Sequence, residues 1–205
     1  MSGFDENPVN AHQRMVRLIG RNKRVLEVGS GPGFVSKRLK QNGCDVFAVE
    51  IDPEKAKDAK KFCEKVFVGN IEEIKLALSK QSFDVILFGD VLEHLKNPEE
   101  TLLKLKDFLK KDGRIIVSLP NIANWKIRLK LGFGKFDYED WGILDKTHLR
   151  FFTRKTARKL IEDAGFEIEK EEHVPSFPSP FLKEPLSKLN PNMFAFQFLF
   201  VAKKK

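Results

Sequence analysis

The chain has 205 residues, 41% of them hydrophobic and 32% charged, a balance that suits one α/β domain with its own core and excludes a disordered or fibrous chain. The net charge of +8 comes largely from lysines interleaved with acids, as in Glu54-Lys55-Ala56-Lys57-Asp58, which reads as a solvated surface rather than a nucleic-acid groove. Cys44 and Cys63 belong to no CxxC pair, so a disulfide framework and a cysteine zinc site are excluded; with no signal-peptide pattern and no apolar run of bilayer length, the expected location is the cytoplasm.

In chain order, residues 11–21 read as an amphipathic helix and 24–28 as a first strand ended by glycines. A helix over 34–41 closes at Gly43, and a second strand covers 45–50. Asp52 caps a helix that Pro53 opens and that runs to about Cys63. A short third strand at 66–68 precedes a helical turn or two over 71–78. Residues 83–88 are nearly all apolar, a fourth strand buried on both faces. Leu102, Leu105 and Leu109 predict a helix over 98–110, and Lys111-Asp112-Gly113 turns the chain into a fifth strand over 114–119. A capped helix over 153–164, a strand over 166–172 and a last strand over 194–202 complete the alternation.

Two stretches break this alternation. Residues 120–152 carry Trp125, Phe133, Phe136, Tyr138, Trp141, Phe151 and Phe152, and residues 174–193 carry five prolines with Phe177 and Phe181. One domain over 1–205 with two substrate-loop insertions is the economical reading. The second insertion is also a candidate contact for a membrane or for a second copy in a homodimer.

Gly29-Ser30-Gly31-Pro32-Gly33 follows a strand and opens a helix, so backbone approaches a ligand there. A dinucleotide fingerprint needs glycine where Phe34 stands. Glu27 just before the loop would oppose a pyrophosphate but could anchor an ammonium group. Glu50 ends the second strand about twenty residues on, at the spacing of a ribose-binding acid.

Glu27-Val28-Gly29-Ser30-Gly31-Pro32-Gly33 resembles the first motif of class I S-adenosylmethionine-dependent methyltransferases, and Val49-Glu50-Ile51-Asp52 their second-strand acid. Phe67-Val68-Gly69-Asn70-Ile71 resembles their adenine-contacting segment, with Asn70 where Asp is usual. Residues 83–95, ending Gly89-Asp90-Val91-Leu92-Glu93-His94-Leu95, resemble their fourth strand and LEH turn. The resemblance covers roughly residues 20–170. It implies a Rossmann-like, doubly wound seven-stranded sheet ordered 3-2-1-4-5-7-6, mostly parallel with an antiparallel last strand. It implies S-adenosylmethionine as cofactor, held by Glu27, Gly29, Ser30, Gly31, Gly33, Glu50, Asn70, Gly89 and Asp90, with Ile51 and Ile71 as apolar walls or core. S-adenosylhomocysteine would be the product.

Asp90, Glu93 and His94 share one face if their turn is helical. A similar Glu-x-x-Glu-His segment binds a divalent metal in ubiquinone-biosynthesis O-methyltransferases; here the segment reads as structural hydrogen bonding, with no metal expected. The segment from Gly142 to Thr153, which holds Asp145-Lys146-Thr147-His148-Leu149-Arg150, and Pro120-Asn121-Ile122-Ala123-Asn124-Trp125 before it resemble a subgroup associated with modifying polysaccharides, lipids or small metabolites, while Ser118-Leu119-Pro120-Asn121 and Trp125-x-x-Arg128 resemble the methionine-biosynthesis proteins that partner a homoserine acyltransferase. The resemblance makes Trp125, His148 and Arg150 a candidate substrate wall, with His148 as base and His94 beside it. Arg150 paired to an acid such as Asp145 is the structural alternative. His12 and His173 read as surface residues. The expected reaction is O-methylation of a small or lipid- or glycan-linked acceptor. A cofactor-binding module that partners a biosynthetic enzyme, and an RNA methyltransferase, are the rival readings.

Overall fold

The computed structural model describes residues 11–176 and 181–205, so Phe177, Pro178 and Pro180 lie outside the described residues. The strands are β1 (Arg24–Val28), β2 (Asp45–Glu50), β3 (Lys65–Val68), β4 (Phe83–Gly89), β5 (Leu109–Pro120), β6 (Phe166–Pro175) and β7 (Ala195–Lys204). They form one sheet in the order β3-β2-β1-β4-β5-β7-β6, as expected. The first five pair parallel with one another, and β7 runs antiparallel to both β5 and β6.

The period-two rule sorts the buried side chains onto the two faces. Leu26, Ile86, Phe88, Ile115 and Val117 join the core beneath α4 (Pro98–Lys106) and α6 (Arg154–Asp163). Val25, Val85, Leu87 and Ile116 join the opposite core with α1 (Ala11–Ile19) and α2 (Phe34–Gln41). Both faces are covered, which is why β1 and β4 read as unbroken apolar runs. The chain reverses its direction of winding between β1 and β4. The carboxyl ends of those strands therefore bound a crevice, the usual ligand position in such sheets.

Several local expectations are corrected. Residues 71–78 form a turn followed by a stretch that is neither helix nor strand. Lys104 Nζ donates to the carbonyls of Ile71 and Ile74 at 3.0 and 2.8 Å, taking acceptors that a helix would use. The helix α3 (Pro53–Ala59) stops short of Cys63, because Lys61 and Phe62 bond three residues back and tighten the chain into turns. Helix α4 ends at Lys106, and β5 begins already at Leu109. The expected turn at 111–113 is an irregularity inside that strand, where the register jumps from Phe83↔Leu109 to Val85↔Arg114.

Three helices inside the insertions were not expected. Helix α5 (Trp125–Gly132) is capped by Asn124, whose side chain accepts from the Lys126 amide at 3.0 Å. Helices α7 (Lys183–Leu189) and α8 (Pro191–Phe194) carry their prolines in the first turn, where no intrahelical donor is lost. A proline-rich stretch thus conceals two short helices. A small separate core of Ile127, Ile143 and Leu144 anchors the first insertion.

Candidate cofactor site and acceptor pocket

The glycine loop is wired to the end of β2. Gly29 donates to the Val49 carbonyl at 2.8 Å, and Gly31 donates to Glu50 Oε2 at 2.6 Å. Glu50 Oε1 accepts from the Asp52 amide at 3.0 Å, so the carboxylate is fixed from two sides while only 5% exposed. Gly33 has φ 88°, and a Cβ there would stand 2.9 Å from the Ala59 Cα, so this position allows only glycine. A Cβ on Gly31 would meet nothing within 4 Å, so the loop apex faces open space.

Beside the loop lies a cleft of about 230 Å³ bordered by His12, Met15, Glu27, Ser30, Phe34 and Gly89. Glu27 is buried at its edge and accepts a hydrogen bond from the buried Ser36 hydroxyl. Burial raises the Glu27 carboxyl from 4.5 to about 7, against the pull of Ser36 and with help from the Glu50 charge. His12 was expected on the surface; it shares a helix face with the buried Met15 and Ile19, and that spacing is the signal that could have placed it. His173 is also not a free surface residue: its Nε2 lies 3.0 Å from Glu171 Oε1, and its ring packs edge-on against Phe198.

At the end of β4, Asp90 adopts φ 56°, uncommon for a non-glycine residue. Two groups hold it there. The Ser118 hydroxyl accepts from the Asp90 amide at 2.9 Å and donates to Oδ1 at 2.8 Å, and Gln197 donates to the same oxygen. Burial raises the Asp90 carboxyl despite these donors and the nearby His12 and His148. Ser118 and Gln197 escaped the sequence reading because their partner is set by the sheet order β4-β5-β7, not by spacing.

This donor set fits S-adenosylmethionine. Glu50 retains lone pairs for ribose hydroxyls beside Ile51, which is 66% exposed and can face an adenine. Ile71 is core instead, 5% exposed. Glu27 and Asp90 offer two carboxyls, both raised by burial, to a ligand ammonium. Asn70 spends its side chain locally: Oδ1 accepts from the Glu72 amide at 3.0 Å, and Nδ2 donates to Glu73 at 3.1 Å.

A closed crevice, too narrow to hold a water molecule, is bordered by Glu93, Pro120, Ile122, His148, Arg150 and Phe152. Leu92–His94 is a single 3₁₀ turn. It is locked to the first insertion, since the Glu93 carbonyl accepts from the amides of Leu149 and Arg150 at 2.9 and 3.0 Å. His94 Nδ1 lies 3.2 Å from the Thr147 carbonyl, and His148 Nδ1 lies 3.2 Å from the Ile143 carbonyl. A carbonyl only accepts, so in each neutral ring Nδ1 carries the proton and Nε2 the lone pair. The two rings meet edge to face with centroids 4.7 Å apart. Glu93, His94 and His148 bring three possible ligand atoms within 4.8 Å of one another, so a cation could be held here, but Asp90 is turned away to Ser118 and Gln197.

Arg150 does not pair with Asp145. It donates to the Lys96 carbonyl, while Asp145 accepts from the Thr147 amide and hydroxyl. Trp125 Nε1 donates to the Ser176 carbonyl at 2.7 Å, tying the first insertion to the start of the second.

A family model described as a methyltransferase domain matches residues 6–171. The chain belongs to this family, and its fold is that of the class I S-adenosylmethionine-dependent methyltransferases. Among its relatives is a mitochondrial ubiquinone-biosynthesis O-methyltransferase of Schizosaccharomyces pombe, 31% identical over 47% of this chain and 37% of its own. A Xanthomonas axonopodis ubiquinone-biosynthesis O-methyltransferase is 28% identical over 56% of this chain and 50% of its own, so the chain spans half or less of these two relatives. An uncharacterised protein of Methanocaldococcus jannaschii is 31% identical over 80% of this chain and 75% of its own. A solved S-adenosylmethionine-dependent methyltransferase from Archaeoglobus fulgidus matches with a TM-score of 0.68 at 22% identity, over 94% of this chain and 90% of that one. No helix among the described residues is long and apolar enough to cross a membrane.

Proposed function

We propose that this methyltransferase transfers its methyl group to a hydroxyl oxygen of a small-molecule or lipid-linked acceptor, with His148 as the base. The observation that carries this reading is the His148 ring itself. Its Nδ1 faces the Ile143 carbonyl, its side chain is 5% exposed, and its Nε2 lies 4.0 Å from the Glu93 carboxyl at the edge of the crevice that both residues line. Burial, and the neighbouring His94, hold its pKa below the ordinary 6.5, so the ring is neutral and able to accept a proton at pH 7.

S-adenosylmethionine supplies an activated methyl group and a neutral thioether leaving group. The chain supplies alignment and a dry pocket. The acceptor O–H proton passes to His148 Nε2 as the oxygen–methyl bond forms, and from there to water. Arg150 lines the same crevice as His148, Trp125 ties the first insertion to Ser176, and His94 fixes the His148 ring by its edge-to-face contact. Burial raises the Glu93 carboxyl well above its ordinary 4.5, and Asp90 is held by Ser118 and Gln197 instead of facing Glu93 and His94. The ubiquinone-biosynthesis relatives support oxygen as the target.

The test is turnover with a panel of hydroxyl-bearing metabolites and lipid-linked phenols, with and without a chelator. Transfer that survives chelation and falls at least about a hundredfold in His148→Ala is expected. Full turnover of His148→Ala would remove the residue from the chemistry. Tight cofactor binding with no transfer to any acceptor would favour a binding module.

A further inference from the structure

The amino acid end of S-adenosylmethionine is a zwitterion. Glu27 and Asp90 offer carboxyls to its ammonium group, while its carboxylate needs a donor or a cation. The glycine loop has spent its donors. Gly29 and Ser30 both donate to the Val49 carbonyl, Gly31 donates to Glu50, Gly33 donates to the Ser30 carbonyl, and Pro32 has no amide hydrogen. The Ser30 hydroxyl turns back to the Gly31 carbonyl at 3.3 Å. The first turn of α2 already faces an acid, since its Ser36 hydroxyl donates to Glu27.

Of the described residues that border the cleft, His12 alone carries a basic side chain. Its place is set by α1. His12, Met15 and Ile19 fall at i, i+3 and i+7, and the last two are 1% and 3% exposed, so this face is pressed onto the sheet. Met15 packs on the end of β4, where a Cβ at Gly89 would stand 3.4 Å from its Cε. His12, one turn earlier, is thereby held at the carboxyl ends of β1 and β4. There its charge favours the Asp90 carboxylate. An imidazole donates a ring N–H in either protonation state, so it can serve an anion there.

We infer that His12 receives the carboxylate of the cofactor's amino acid end, which makes α1 part of the cofactor site and selects a nucleoside that bears a whole amino acid. This rests on the glycine loop as the cofactor's seat. The competing role for His12 is support of Asp90 alone, which would act on the ammonium side. The competing donors for the carboxylate are the first-turn amides of α2.

The experiment is calorimetric titration of two ligands into the full chain: S-adenosylhomocysteine, and its decarboxylated analogue, which keeps the ammonium group and the adenosine. Wild type should prefer S-adenosylhomocysteine. His12→Ala should bind S-adenosylhomocysteine about tenfold more weakly and the analogue as tightly or more so, which erases the preference. His12→Gln keeps an N–H donor and should restore part of it. The preference is a ratio read within one protein, so it holds even where a variant melts at a lower temperature. Equal loss on both ligands overturns the inference, because His12 then acts through Asp90 or the fold. No loss on either ligand overturns it as well and hands the carboxylate to α2. Should Glu50→Gln weaken both ligands while His12→Ala weakens neither, the cofactor's seat stands and only the role of His12 falls. Binding of neither ligand to wild type removes the seat and this inference with it.

Discussion

The Glu93 carboxyl stands 4.0 Å from His148 Nε2, and neither of its oxygens has a hydrogen-bond partner among the described residues. Burial is the main cause that pushes Glu93 up, with the charges of Asp90 and Asp145 adding to it, while burial and His94 push His148 down. Both shifts favour the uncharged forms, a carboxylic acid beside a neutral imidazole, over a salt bridge. Glu93→Gln replaces one neutral group by another, and denaturant melts at pH 7 should show a loss of no more than about 1 kcal/mol. A loss of about 3–5 kcal/mol would mean that a charged, paired Glu93 had been removed. The His148 direction also sets the acid side of the rate profile. The rate should be level at pH 7 and fall only as pH drops below the ordinary histidine value of 6.5.

Glu27 links stability to cofactor binding with opposite signs. Its folded value of about 7 lies above its ordinary 4.5, so the folded chain holds the proton longer than the unfolded one. Stability is then lost as pH rises from 4.5 through about 7, by up to roughly 3 kcal/mol. Glu27→Gln should flatten that window and leave the ligand-free protein more stable than wild type at pH 8. It should also weaken S-adenosylhomocysteine, whose ammonium group loses a carboxylate. Melting curves at pH 5 and 8, paired with calorimetric titration, read both effects; equal pH dependence in the two proteins contradicts the assignment.

Two glycines of one loop should respond differently to alanine. At Gly33 the new Cβ would meet the Ala59 backbone at 2.9 Å, so Gly33→Ala should cost about 2–4 kcal/mol of stability through the α2–α3 contact. At Gly31 the φ of 53° costs about 1 kcal/mol and no atom is met, so the fold should survive. The methyl group would instead occupy the space in front of the loop, and S-adenosylhomocysteine affinity should drop at least about tenfold. Thermal melts and titration on the two variants separate folding from binding.

What was legible in the sequence is what local chemistry encodes. The glycine loop, the Asp52 cap and the apolar runs of β1 and β4 act within a few residues, so their elements and the acid at Glu50 were readable. Partners set by the sheet were not. Ser118 and Gln197 converge on Asp90 only because β5 and β7 lie in sequence beside β4. Residues 71–78 have helical spacing, yet a lysine thirty residues on takes their carbonyls. Helix α5 escaped notice because Leu129 and Leu131 face outward and only Ile127 is buried, against the pattern that marks a buried helix.

The central claim is that the Gly31–Glu50 junction is the cofactor's seat, and calorimetric titration of S-adenosylhomocysteine into wild type and Glu50→Gln tests it most directly. The account predicts saturable one-to-one binding to wild type and at least about tenfold weaker binding to the variant, which stays folded with a melting temperature a few degrees lower because one of the two backbone hydrogen bonds to Glu50 is lost. No binding to wild type, or equal affinity in the two proteins, would contradict it.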